Sequence, residues 1–212
     1  MHIPDGFLDL KTWVTLGAVS AGLVGYALKR SSRKLGEKHI PLLGVMAAFI
    51  FAAQMLNFPV AGGTSGHFMG GVLAAVLLGP SAGLLVMATV LIVQCLVFQD
   101  GGLTALGANV FNMGVIGAML GYYIYVALNR VMRGNPRVLF ICSFVAGWLS
   151  IVLAASACAV ELAISGTVPL GVALPAMAGV HSLIGIGEGL ITALVLGFVF
   201  KLRPDLLDIE KI

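Results

Sequence analysis

Apolar residues run through this chain in long blocks, separated by short polar or glycine-rich stretches. The blocks show neither the alternation of a half-buried strand nor the single stripe of a soluble helix. Taken in order they predict seven membrane spans, at about 9–28, 41–58, 67–78, 81–98, 105–128, 138–164 and 176–200. About 20 apolar residues are needed to cross the hydrocarbon core as a helix. The third block is too short for that, and Gly79-Pro80 ends it. It is expected to tilt or to be sheltered by its neighbours. In the first block Gly17, Ala21 and Gly25 recur every fourth residue, a smooth face that another helix can approach closely. Pro41 suits the first turn of the second span. The connections are a basic stretch at 29–39, a glycine-rich loop at 59–66, a polar loop at 99–107, a second basic stretch at 129–137 and a polar loop at 165–175. No internal repeat is evident, which argues against carriers built from inverted halves.

Composition sharpens this picture. The chain is 59% hydrophobic and only 10% charged, against about 25% charged in soluble domains. An all-α membrane protein follows, a single seven-helix domain over 1–212 with a short tail at 202–212. No Walker A motif is present, and no length is left over for a soluble ATPase or catalytic module. The three cysteines, Cys95, Cys142 and Cys158, lie in apolar blocks and read as small hydrophobes without disulfides. The charge of +3 does not point to nucleic acid. Eleven of the twelve Lys and Arg residues fall in alternate connections and the tail, with Lys11 the exception. The positive-inside rule then predicts the N-terminus outside and the C-terminus inside. The first residues lack the basic region of a signal peptide and are expected to be retained.

The candidate chemistry starts at Met1-His2. In a chain beginning X-His, the terminal amine, the deprotonated His2 amide and the imidazole Nδ1 can chelate one ion in fused five- and six-membered rings. Such a planar nitrogen field suits Ni(II) or Cu(II) and leaves one corner open. Pro4 stiffens the chain just after the chelate, and Asp5-Gly6 signals a turn back toward the bundle. The plain alternative is a frayed, exposed terminus. His67, after the glycine-rich loop on the same side, is the expected fourth ligand; the alternative is a helix cap or a headgroup-level residue. Metal-bound histidines donate their other N–H to a carboxylate or carbonyl, and Asp5, Thr64, Ser65, Asn109 and Asn112 are candidates for that support.

His181 and Glu188 lie seven residues apart on one face of the last span. Intramembrane ionisable groups are costly and face the interior. A second metal site, a proton relay and a structural pair are all open, with supporting roles favoured over direct ligation. Glu161 is expected at the membrane interface and His39 in solvent. The scattered methionines read as packing. Ala48 and Ala52, one turn apart in the second span, offer a smooth face either to another membrane protein or to the chain's own bundle. No catalytic spacing surrounds His181 and Glu188, so an enzyme is disfavoured. A self-sufficient channel or carrier would want polar residues through the whole bundle, whereas here they crowd its outer half.

With MHIPDGFLD at its start, GGTSGHFMGG around His67 and HSLIGIGEGLIT in its last span, the sequence resembles the CbiM/NikM family over essentially its whole length. These are substrate-binding membrane subunits (S components) of energy-coupling factor transporters for nickel and cobalt. The resemblance implies a six-helix S-component core plus one N-terminal helix, in the cytoplasmic membrane of a prokaryote. It implies that the segment 1–8 enters the bundle, with Met1, His2 and His67 completing a square plane. It further implies a transmembrane coupling subunit, cytoplasmic ATPase subunits and a small accessory membrane subunit as partners, and docking through Ala48 and Ala52. The start MHIPDGFL is more like nickel-type members, since cobalt-type members more often read MHIMEGFL. Ni(II) is therefore the expected substrate, with Co(II) as the alternative.

Overall fold

The computed structural model of the chain describes residues 1–36, 39–132 and 136–203. The described residues form seven helices: α1 Leu10–Lys34, α2 Ile40–Gln54, α3 Gly71–Leu78, α4 Pro80–Phe98, α5 Leu106–Met132, α6 Pro136–Ile164 and α7 Leu170–Leu202. A two-residue ladder, β1 Phe58–Pro59 with β2 Ser65–Gly66, pairs Phe58 with Gly66 and Pro59 with Ser65. By length and composition α4, α5, α6 and α7 can each cross a membrane. The protein is a multi-pass membrane protein. Helix α3 has eight residues, all buried, so its neighbours shelter it as its length requires.

Several boundaries differ from the sequence reading. Helix α1 runs to Lys34 and takes in much of the first basic stretch. Lys and Arg are good helix formers, and Arg33 and Lys34 in the last turn complement the helix dipole. Helix α2 stops at Gln54 instead of 58, because Phe58, held extended ahead of Pro59, joins the ladder. Helix α3 starts at Gly71 instead of 67. Gly70 adopts φ +76°, a left-handed conformation that breaks a helix, and residues 67–70 are left irregular. Helix α7 starts at Leu170 instead of 176, with Val172 and Ala173 both bonding to the Pro169 carbonyl. Within α5, Phe111–Leu120 is wound as a π-helix, a rare form that is frequent at functional sites. Parts of the basic stretches, and the tail from 204 onward, lie outside the described residues.

Small residues bring the helices together. A Cβ added at Gly107 would stand 2.4 Å from the Gly17 Cα, so α1 and α5 touch backbone to backbone, and Ser20 Oγ donates to the Gly107 carbonyl at 2.7 Å. Helices α6 and α7 pack along most of their length. Met1 and Ile3 are fully buried in the same core as Met69, Leu73, Leu84 and Met113. A chain end is ordinarily loose unless something ties it down, and here it is part of the interior.

Candidate metal centre

Residues 1–9 form a strap tied along its length. Asp9 accepts from the Thr12 N–H at 3.1 Å and starts α1. Gly6, at φ +82°, turns the chain. The Asp5 carboxylate accepts from the Leu103 and Thr104 N–H groups at 3.0 and 2.7 Å and from the Thr104 hydroxyl. Those bonds hold it below the usual carboxylate range. Thr167 donates to the Phe7 carbonyl, and Ser165 to Asp9. Asn109 grips the Ile3 backbone on both sides, accepting from its N–H at 2.8 Å and donating to its carbonyl at 3.2 Å. The Gly102 N–H also reaches the Ile3 carbonyl, at 2.8 Å. Only glycine fits there, because a Cβ at 102 would lie 2.2 Å from the Asp5 nitrogen.

The strap delivers its end to His67. The Met1 amine is 2.7 Å from His67 Nε2. The Met1 and His2 nitrogens both donate to Ser65 Oγ at 3.0 Å. The His2 and His67 rings stack with centroids 4.6 Å apart. Each imidazole is locked in one tautomer. His67 Nδ1 lies 2.7 Å from the Phe68 carbonyl; a carbonyl can only accept, so Nδ1 carries the hydrogen and Nε2 the lone pair. His2 Nε2 donates to Gln94 Oε1 at 3.1 Å, so its Nδ1 carries the lone pair. That Nδ1 is buried and makes no hydrogen bond. Asp100 Oδ1 lies 3.3 Å from it without the alignment of one.

The candidate donors are the Met1 amine, the His2 amide, His2 Nδ1 and His67 Nε2; the first two share Ser65 Oγ, and the amine touches His67 Nε2. Metal–nitrogen bonds of about 2.0 Å put neighbouring corners of a square plane about 2.8 Å apart, close to the 2.7 Å between the Met1 amine and His67. Among the described residues no group of three or more His, Cys, Asp or Glu side chains could hold a metal. This set does not need one, since two of its four donors are main-chain nitrogens.

Burial sets the protonation. Desolvation lowers the Met1 amine from 8.0 to about 5, against small opposing effects of Cys158 and Asp100. Desolvation, then the charge of the amine, lowers His2 to about 3, with the Gln94 bond opposing. His67 is held well below its ordinary value by burial first, then by Met1 and His2. At neutral pH these nitrogens are unprotonated, as metal ligation requires. Burial raises Asp100, partly offset by the amine and by Asn57.

The remaining candidates fall in different places. Ser65 touches the donor nitrogens, and Asp5 and Asn109 hold the strap. None of the three accepts a histidine ring N–H; that role goes to Gln94 and the Phe68 carbonyl. The Thr64 hydroxyl lies 3.8 Å from Cys158 Sγ. Asn112 donates to Glu161 at 2.7 Å. Glu161 is buried, which corrects its expected interface position; the amide partner from α5 lets the carboxyl sit inside. His181 bonds through Nδ1 to the Met177 carbonyl at 2.8 Å. It lies under the hairpin, between Met177, against Gly63, and Ile184, against Gly66. Glu188 accepts from the Met69 and Gly70 N–H groups at 2.7 and 2.8 Å and so anchors the segment that carries His67. His39 is at the start of α2, 3.3 Å from the Gly36 carbonyl. Ala48 and Ala52 are exposed on α2, beside exposed Val45 and Phe49. Sequence reasoning passed over Gln94 and Asp100. A lone glutamine inside a 19-residue apolar helix is the signal that could have revealed the first.

Known proteins resemble this chain over nearly its whole length. Residues 2–206 match the family described as CbiM, cobalt uptake substrate-specific transmembrane region. A protein of Archaeoglobus fulgidus, provisionally named fused nickel transport protein NikMN, is 48% identical over 210 residues, covering 98% of this chain and 68% of that one. Cobalt transport protein CbiM of Sorangium cellulosum is 35% identical over 218 residues, covering 98% of this chain and 95% of its own. A crystal structure described as a truncated transition metal transporter superposes with a TM-score of 0.89 at 34% identity, covering 95% of this chain and 99% of the other. With the match running through nearly every residue from the strap to the end of α7, this chain belongs to the CbiM family.

Proposed function

We propose that this chain is the substrate-binding subunit of an energy-coupling factor transporter and captures Ni(II) from outside the cell. The observation that carries the reading is the 2.7 Å contact of the Met1 amine with His67 Nε2, next to a His2 ring whose buried Nδ1 makes no hydrogen bond. Ni(II) takes the lone pairs of the neutral Met1 amine, His2 Nδ1 and His67 Nε2 and takes the place of the His2 amide proton. Gln94 and the Phe68 carbonyl hold the two rings in the ligating tautomer, and the strap contacts keep the chelate dry and in register. A planar nitrogen field favours Ni(II) over Co(II), and a nickel name on the 48%-identical relative points the same way. Co(II) is the second reading, favoured by the cobalt description of the family and by the cobalt name of another relative.

The chain performs no covalent chemistry in this reading. Cytoplasmic ATPase subunits drive transport through a transmembrane coupling subunit, with a small accessory membrane subunit beside them. The exposed face around Ala48 and Ala52 docks on the coupling subunit. The N-terminus and the hairpin face outside, where the ion is found. The test is metal analysis and absorption spectroscopy of the protein purified with its native start. A planar Ni(II) spectrum at one ion per chain is expected, and His67→Ala should abolish it. Full nickel affinity in His67→Ala would overturn the site.

A further inference from the structure

One carboxylate lies beside the nitrogen set and is itself partly open to solvent. Asp100 follows Gln99, whose left-handed φ of 55° turns the chain at the end of α4. Its N–H returns to the Gln94 carbonyl at 3.0 Å. Its Oδ2 is pinned by Asn57 Nδ2 at 2.9 Å, and its Oδ1 points at His2 Nδ1 from 3.3 Å. The two side chains differ in access: Asp100 is 20% exposed and His2 only 2%. The next residue, Gly101, at φ +94°, lies against the ring; a Cβ there would stand 3.5 Å from His2 Cδ2.

These positions let one ion touch both groups. With bonds of about 2.0–2.1 Å to nitrogen and oxygen, atoms 3.3 Å apart subtend roughly 105° at the ion, near the right angle of neighbouring ligands. His2 Nδ1 is buried and has no hydrogen bond, so its lone pair meets whatever Asp100 holds. A carboxylate suits a hydrated divalent cation, whereas the four-nitrogen plane suits the same ion once its water is gone.

We propose that Asp100 is a transfer ligand, which takes the hydrated divalent ion at the solvent side, shares it with His2 Nδ1 and yields it to the four-nitrogen plane. This rests on the metal-site reading above. The exchange conserves ligands: water leaves as Oδ1 binds, Oδ1 leaves as the last nitrogen binds, and the displaced protons pass to solvent. A ligand present only along the path lowers the barrier equally in both directions.

The test is stopped-flow kinetics with Ni(II) chloride and the full chain in detergent, reading the planar absorption as it forms and as a chelator removes the ion. Asp100→Asn keeps an acceptor for Asn57 and loses the charge. Uptake and release should both slow by about tenfold or more, by the same factor, while their ratio, Kd, stays within about twofold. Asp100→Glu should restore most of both rates. If Asp100→Asn does not fold, Asn57→Ala, which unpins Oδ2, should slow both rates together. Faster release with weaker Kd would make Asp100 a resident ligand and overturn the proposal. So would slowed uptake alone that vanishes at high salt, which is long-range attraction, and so would unchanged rates. A wild-type protein that takes up no Ni(II), or a His67→Ala protein that takes it up normally, overturns the underlying site and leaves no transfer step to test.

Discussion

The segment 67–70 joins two polar clusters that the fold treats in opposite ways. At one end His67 presents Nε2 to the Met1 amine, beside a His2 Nδ1 that makes no hydrogen bond. At the other end Glu188 accepts two main-chain N–H groups, from Met69 and Gly70. Both clusters are buried ionisable groups inside an apolar bundle, and such groups are functional sites by default. The difference is satisfaction. The Glu188 carboxylate has a hydrogen bond on each oxygen and closes a structural corner. In the nitrogen cluster His2 Nδ1 is buried and makes no hydrogen bond. In the same low-dielectric surroundings, one cluster is fully bonded and the other keeps a ring nitrogen without a hydrogen-bond partner.

The largest effect should come from breaking the nitrogen cluster at its covalent start. Acetylating Met1, or inserting one residue after it, removes the amine or its register with the His2 amide. Nickel affinity should fall by about a thousandfold or more, read by competition with a chromogenic chelator. The metal-free fold should persist, because helices α3 to α7 do not depend on that nitrogen. A blocked protein that keeps its affinity would erase the distinction between the clusters.

Glu188→Ala should do the reverse. Two buried N–H groups would lose their acceptors, at about 1–3 kcal/mol each, so the thermal midpoint of the metal-free protein should drop clearly. Glu188→Gln, which leaves one acceptor, should lie between. Unchanged stability with lost nickel would place Glu188 in the metal site and sink the comparison.

A smaller effect is expected at Gln94. Gln94→Leu removes the acceptor that holds the His2 tautomer, and such supports typically contribute about 10–100-fold in metal affinity. Isothermal titration should show that loss at nearly constant stability.

The smallest effect is a proton count. With the amine at about 5 and His2 at about 3, nickel binding at pH 7 should release about one proton, that of the His2 amide, and more as pH falls through 5. Titration in buffers of different ionisation enthalpy reads this number. The same lowered values make the metal-free fold sensitive to acid. Between the folded and unfolded values of the amine, about 5 and 8.0, the unfolded chain binds more protons than the native one. Stability therefore rises with pH across that window and declines as pH falls through it. A metal-free midpoint that rises on acidification would contradict the buried amine.

Much of the fold was legible because apolar blocks of helical length report membrane spans directly. The errors cluster where backbone conformation overrides hydropathy. His67–Gly70 is apolar enough to read as helix, yet the left-handed Gly70 and the Glu188 anchor hold it irregular. Leu170–Pro175 reads as loop because prolines stand at 169 and 175, yet the Pro169 carbonyl accepts the first bonds of α7, which runs on through Pro175. Glu161 reads as an interface residue because nothing local reveals Asn112 as its partner.

By itself the sequence determined that this is a helical membrane protein, and it set Met1 and His2 side by side as candidate ligands. Both are local properties: span length follows from consecutive apolar residues, and the chelate rings follow from covalent bonds between Met1 and His2. Only the tertiary structure decided which groups meet those two residues and hold their partners in place. His67 meets Met1 across 66 residues of sequence, Gln94 meets His2 across 92, and Glu188 meets Met69 across 119. Such pairings form when helices pack, because a buried polar group must find a partner wherever the fold places one.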